Sequence, residues 1–517
     1  MVLFILFGLA TPGAFADAGS DSSSLPKHNS SDFVSGETSG TAALQRKAIE
    51  DVRHQLVKTD KADDPAGWAK SQHELGVTLR IMQEQSVNAN QHNNLRLLNA
   101  SPEPTSQICA FCQLLLRESI SAFRAALEVR TNKNATTNWA ETQFEMGRTL
   151  LAIGDLESDI ERMKEAATAF YEALRVYSRQ KDPELWGAVQ LYLGETTQRL
   201  GVRMSGDAGR EQLKKSIDAY QEALKVFTPK SEYWPAIQNN LCGALTALYE
   251  RDGNKKHLQK AVAAMRAGLE ATNRDIKPLL WASAQNNLGN ALQTLGRLEN
   301  NKAFLNESVN AYRAALTSIT RESDSGFWVG TQGSLAFTLR VLGALESGAA
   351  SSERLNESVS AYRALVEFTE HEQMMMQHAL TLMDMSDALF VWGRNEKNIA
   401  RLEEAIDANL KGINMLAGEL PQVLETLGEK LGTDRFANGI PPMLWARYLI
   451  DFADRLYSSA EILGSGTRWL DEAAILYKRV WNLYSQPGSG ASRQDVISVE
   501  IKHENVEKLM KKRQAAR

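Results

Sequence analysis

Little in this sequence supports chemistry. Its 517 residues include three cysteines and eight histidines, spread so thinly that a serine or cysteine nucleophile has no evident base. There is no G-x-S-x-G elbow, no H-E-x-x-H, no G-x-x-x-x-G-K-[ST] phosphate loop, and no G-x-G-x-x-G opening a helix. The formal charge of −5 leaves no concentrated basic surface of the kind a nucleic acid requires. The one basic cluster, Glu507 to Arg517, complements the dipole at the end of a final helix. The thirteen prolines fall mostly between periodic segments, so long stretches are free to be helical. Past the first residues no apolar run is long enough to span a bilayer.

The first twenty residues, MVLFILFGLATPGAFADAGS, join a short apolar run to a break at Pro12 and the small-x-small pattern Ala14-Phe15-Ala16. That pattern predicts a secretory signal peptide over residues 1–16, although the basic start of such a peptide is missing. Residues 17–41, rich in Ser, Asp and Gly without apolar period, read as a flexible leader. The expectation is an exported protein, periplasmic or secreted, with no membrane segment after cleavage.

From residue 42 to 487 the chain repeats itself. "LWASAQNNLGNALQTLG" from Leu280 is echoed by "LWGAVQLYLGETTQRLG" from Leu185, "YWPAIQNNLCGALTALY" from Tyr233 and "FWVGTQGSLAFTLRVLG" from Phe327. Copies of this helix, A, begin at Trp68, Trp139, Trp186, Trp234, Trp281, Trp328, His378 and Trp445, with central steps of 47 or 48 residues. Each is followed by a helix B such as "LNESVNAYRAAL", starting at Leu116, Met163, Leu213, Leu258, Leu305, Leu355, Leu402 and Leu470. In that example Leu305, Val309, Tyr312 and Leu316 fall on one helical stripe. A helix pair of this kind cannot bury its apolar stripes alone, so neighbours stack and the period predicts a solenoid. Trp234, Trp281 and Trp328 are expected to be mostly buried as wedges between repeats. A B-like helix ahead of Trp68 and a charged helix over residues 488–517 are expected to cap the two ends.

The motif Leu288-Gly289, Leu292, Ala311-Tyr312 and Ala315 resembles the tetratricopeptide repeat. The tryptophan of that family is replaced by Gln285 and stands one turn earlier, at Trp281. The period also exceeds the family's, which the sequence suggests is due to an extended A-to-B loop such as "RLENNKAF". This long form is similar to the repeats of bacterial proteins that carry caspase-like peptidase domains, a domain absent from this sequence. The resemblance implies an all-α, right-handed superhelical solenoid of about eight helix pairs with capping helices, working as a non-enzymatic scaffold for a protein or peptide and needing no cofactor. It also places the ligand in the concave groove, against residues two before, two after and five after the Leu of Leu-Gly. Those positions are His73, Arg80, Arg148, Glu195, Gln198, Asn239, Asn286, Asn290, Gln293, Phe337, Arg340 and Asp387.

Two features stand apart from the repeat. Cys109 and Cys112 follow an enlarged loop, since the step from Trp68 to Trp139 is 71 residues. With no strand pattern around them and no second cysteine pair, redox catalysis and zinc lack a setting; a local disulfide or two packed thiols remain. Cys242 takes the place of Gly289 and reads as a buried structural thiol. "EQMMMQHALTLMDMSD" gathers Met374, Met375, Met376, His378, Met383 and Met385, soft donors of the kind that hold Cu(I). Methionines at helical spacing also fill core gaps, and Met385 occupies the Leu288 position.

Overall fold

Two residues, Asn300 and Asn301, turn one helix into the next. Asn300 adopts the left-handed conformation (φ 49°), and the Asn301 side chain accepts from the Ala303 and Phe304 amides. An αL residue stops the first helix and an Asn cap starts the second. Ser158-Asp159 and Gly253-Asn254 repeat the device. The A-to-B connection is therefore short, and the expectation of an extended loop there is corrected: the length of each repeat lies in the helices and, for most repeats, in the connection from helix B to the next helix A.

The structure is a computed structural model, and it describes residues 60–97, 103–131, 133, 136–417, 449–458, 460, 467–485 and 491–515. No strand occurs among the described residues. The helices are α1 (Pro65–Leu97), α2 (Glu103–Val129), α3 (Thr137–Glu157), α4 (Ile160–Ala173), α5 (Pro183–Arg203), α6 (Gly206–Ala223), α7 (Tyr233–Asp252) and α8 (Lys255–Ala271). They continue as α9 (Pro278–Glu299), α10 (Lys302–Leu316), α11 (Ser325–Leu345), α12 (Gly348–His371), α13 (Met375–Glu396), α14 (Ile399–Ala417), α15 (Thr467–Tyr484) and α16 (Arg493–Ala515). Odd numbers up to α13 are A helices and even numbers up to α14 are B helices, so the repeat register holds at every described copy. The signal peptide and leader (residues 1–41), the N-terminal lid and Trp445 lie outside the described residues.

Contacts divide the chain into two units, one up to Thr338 and one from Leu339, the division falling within α11. In the first unit each helix packs on its neighbours in sequence, and successive A helices also meet, α1 on α3, α3 on α5, α5 on α7 and α7 on α9. Contacts confined to near neighbours are what define a solenoid. In the second unit α12, α13 and α14 pack in sequence, and α16 packs on α15. Val499 and Val506 of α16 are buried, and Lys502 pairs with Asp454, so the helix closes against its neighbours as a cap requires.

The core is an interlock of glycine with large side chains. Helix B sends its aromatic residue onto a helix A glycine: Phe123 on Gly76, Phe170 on Gly147, Tyr220 on Gly194, Tyr312 on Gly289. A turn or two along, Gly154, Gly201 and Gly296 receive Met163, Leu213 and Leu305 in the same way. Two details differ from expectation. The long step after Trp68 is not an enlarged loop: α1 runs 33 residues and α2 runs 27, taking up most of the insertion as helix. Cys109 and Cys112 accordingly lie inside α2, with Cys112 buried. The tryptophans are also less uniform. Trp139 and Trp328 are 4% and 9% exposed, but Trp234 and Trp281 are only half-buried. A cation covers the outer face of several of these rings: Arg274 lies 4.8 Å from the Trp281 ring and Arg321 4.5 Å from that of Trp328. Lys61 does the same to Trp68 at 4.7 Å. Each cation stands seven residues ahead of its tryptophan.

Candidate functional site

The twelve residues named from the sequence all lie on A helices, ten in the first unit and Arg340 and Asp387 in the second, and each has a partner within the protein. His73, Arg80, Asn239 and Asn286 are buried; Arg148, Glu195, Gln198, Asn290, Gln293, Phe337, Arg340 and Asp387 are half-buried. None is a freely solvated side chain.

At the first repeats the ties are ionic. Arg80 Nε donates to Glu145 at 2.9 Å and a second nitrogen to Glu84 at 2.6 Å. Arg148 reaches Glu145 at 3.3 Å and Glu84 at 3.4 Å, and its guanidinium lies 4.9 Å from the centre of the Tyr192 ring. Glu145 is deeply buried. Burial works against its charge, but Arg80 and Arg148 outweigh it and hold the carboxyl down to about 2. His73 lies against Thr142, its Nδ1 at 3.2 Å from the hydroxyl. That hydroxyl donates to Asn138 O and accepts from Arg130, so it has a lone pair for a protonated Nδ1 and no proton to give it. Burial, reinforced by Arg130, lowers the His73 pKa to about 4. Burial pushes the Glu195 carboxyl up to about 7 against the attraction of Arg148; Arg199, one turn on, pairs with it.

Further along, amides and hydroxyls replace the charges. Tyr220 donates to Gln198 at 2.7 Å, and Gln198 extends over Gly243, where a Cβ would stand 2.8 Å from Nε2. Asn287 donates to Asn239 at 2.6 Å, Thr331 to Asn286 at 3.1 Å, and Tyr312 to Asn290 at 2.8 Å. Gln293 bridges to Ser334 O at 3.2 Å and to Thr338 at 2.6 Å. The Arg297 guanidinium lies 5.2 Å from the Phe337 ring. In the second unit Arg340 stands 3.6 Å from Asp387, which Arg455 also contacts. Burial and the neighbouring Asp387 raise the Asp384 carboxyl to about 6.

In the first unit much of the row therefore works as a ladder between successive A helices, its rungs preset by the fold, while Gln198 and Asn290 are tied to helix B of their own repeat. The expectation that Asn286, Asn290 and Gln293 are exposed and energetically idle is corrected: Asn286 and Gln293 bond to the next A helix, and Asn290 to Tyr312 of its own repeat. Glu145, Tyr192 and Asn287, each one residue before its Leu position, were not singled out from the sequence. The clue was available for Glu145: Arg80 and Arg148 on adjoining helices need shared carboxylates, and Glu84 and Glu145 are the two between them.

Cys242 is a buried free thiol, its pKa pushed up to about 12 by burial, as expected of a structural cysteine. Among the described residues no group of three His, Cys, Asp or Glu side chains could hold a metal, and no helix is long and apolar enough to cross a membrane.

No family model matches the chain, and no curated protein matches it. A solved structure described as a circular tandem repeat protein with novel repeat topology and enhanced subunit contact surfaces covers 92% of this chain and 98% of its own, at 16% identity and a TM-score of 0.25. A crystal structure of a Rap protein complexed with competence and sporulation factor covers 79% of this chain and 99% of its own, at 11% identity and a TM-score of 0.29. Both scores are too low to carry an argument, so the assignment as an all-α repeat solenoid rests on the helix pairs themselves.

Proposed function

We propose that the protein is a non-enzymatic scaffold whose A-helix face binds an extended segment of a protein partner. The observation that supports this reading is the ladder. Most of its polar groups are half-exposed yet already fixed by bonds within and between repeats, so a ligand meeting them avoids most of the cost of ordering side chains. Mixed charges and amides suit a polypeptide of ordinary composition, read by side-chain hydrogen bonds along its length. The signal-peptide pattern of residues 1–16 supports a place outside the cytoplasm, in the bacterial cell envelope.

Photo-crosslinking tests this. A crosslinking residue in place of Asn290, on the A-helix face, should give a discrete adduct in cells. The same residue at exposed Asn310 on α10 should give none. Adducts from Asn310 alone would move the interaction to the outer helices. A second reading, a regulatory subunit that touches an enzyme or secretion complex through its loops, is favoured by Ile276 and Leu279. These stand 73% and 54% exposed where the chain enters α9.

A further inference from the structure

The methionines of α13 are brought together with one the sequence did not single out. α13 and α14 cross at Gly412, where a Cβ would stand 2.7 Å from Ala379 O and 2.8 Å from Met383 Cγ. Sequence neighbours joined by a short corner run antiparallel. Three residues before Ala379 and three after Gly412 therefore lie opposite one another, about 4.5 Å beyond the crossing. Those residues are Met376 and Met415. Both, together with Leu380, pack against Met383 and buried Ala379. Met383 is buried, Met376 and Met415 are half-exposed, and Met374 and Met375 at the helix start are 40% and 50% exposed. The cluster is thus open to solvent at one end and apolar at its floor.

Core filling does not account for this coincidence. In the fifth repeat the positions of Met376, Met383 and Met415 hold Leu279, Asn286 and Ser318; in the fourth they hold Glu232, Asn239 and Ala271. Met443 stands at the Met376 position of the repeat that begins at Trp445, but only in this repeat do all three positions, on two helices, hold methionine together. His378 is not part of the cluster. Its Nδ1 lies 3.1 Å from both Val366 O and Thr369 Oγ1 on α12.

We propose that Met376, Met383 and Met415 form a binding site for a soft monovalent cation, Cu(I), with Ag(I) as its chemical surrogate. Neutral, polarisable thioethers select such an ion over zinc or magnesium, which need imidazole, thiolate or oxygen donors. Binding is ligand exchange alone: the ion leaves its solvent or carrier ligands for three sulfur lone pairs, with no change of oxidation state.

The test is methyl NMR of the full chain labelled at the methionine methyls, titrated with Ag(I). The methyls of Met376, Met383 and Met415, assigned by single Leu variants, should shift together and saturate near one equivalent. A parallel anaerobic competition for Cu(I) against bicinchoninate compares the chain with its Met376→Leu/Met383→Leu/Met415→Leu variant. Leucine nearly conserves volume, and circular dichroism confirms that the variant folds. The variant should retain at least tenfold less copper. Unshifted methyls, or copper held equally by both chains (through their thiols, for example), overturn the proposal.

Discussion

The ring of Tyr312 lies so close to Gly289 that a Cβ on the glycine would stand 2.6 Å from its edge. The contact sets the distance between helices A and B in the fifth repeat, and the Ser308 hydroxyl seals it with a 2.8 Å bond to the Gly289 carbonyl. Gly289→Ala should therefore destabilise the chain by about 1–3 kcal/mol through overpacking, read from urea unfolding. The fourth repeat supplies the compensation, since Cys242 and Met265 occupy the corresponding positions in one buried core. Gly289→Cys with Tyr312→Met should recover part of what Gly289→Cys alone loses. Additive losses in the double variant would show that the two positions are not coupled.

The amide ladder makes a second, opposite forecast for residues that a helical wheel presents as groove lining. Replacing Asn286, Asn290 and Gln293 by Ala removes partners from Thr331, Tyr312 and Thr338. Each lost bond costs about 0.5–1.5 kcal/mol, so the triple variant should lose roughly 2–4 kcal/mol. A double-mutant cycle between Gln293→Ala and Thr338→Ala should show coupling. An unchanged melting curve for the triple variant would mean that the groups are solvated and the ladder carries no stability.

The tryptophans should rank by burial rather than behave alike. Trp139→Ala should cost about 3–5 kcal/mol, whereas Trp281→Ala, removing a half-buried ring, should cost less. Arg274→Ala should lose about 0.5–1 kcal/mol of cation–π contact together with its 2.6 Å bond to Thr317. Equal losses at Trp139 and Trp281 would contradict the exposure difference.

How far the sequence could be read follows from what each residue needs. Apolar period and the Leu-Gly phrase depend only on local helix geometry, so the helix pairs and the burial of Cys242 and Met385 were legible. The corner at Asn300-Asn301 was misread because the residues on both sides of it are polar, although they belong to the helices that end and begin there. The twelve residues expected to line a groove lie on A helices, but the sequence did not show that they are buried or half-buried. Whether Asn286 meets solvent or Thr331 depends on how closely consecutive A helices approach, and glycines such as Gly243 set that approach from another repeat. Met415 was overlooked for the same reason, since nothing near it in sequence links it to Met376.

The first three A helices should respond to pH in two opposed ways. His73 has its pKa lowered from 6.5 to about 4, first by burial and then by Arg130. Between those values the unfolded chain binds a proton that the folded chain refuses. The contribution is present above pH 6.5 and is lost as pH falls toward 4. Glu145, held down to about 2 from 4.5 by Arg80 and Arg148 despite its burial, continues that loss at lower pH. Glu195 is raised from 4.5 to about 7 by burial, so the folded chain holds the extra proton and its contribution falls as pH rises through that window. His73→Gln should therefore flatten the acid limb between pH 4 and 6.5, at a cost in overall stability from its lost fit against Thr142. Glu195→Gln should instead remove the decline between pH 4.5 and 7, making the variant relatively more stable at pH 8 than at pH 5. Urea unfolding of the three chains at half-unit pH steps reads both slopes. Curves for the variants that run parallel to the parent would show that neither group titrates differently in the fold, and the buried charge ladder would lose its electrostatic account.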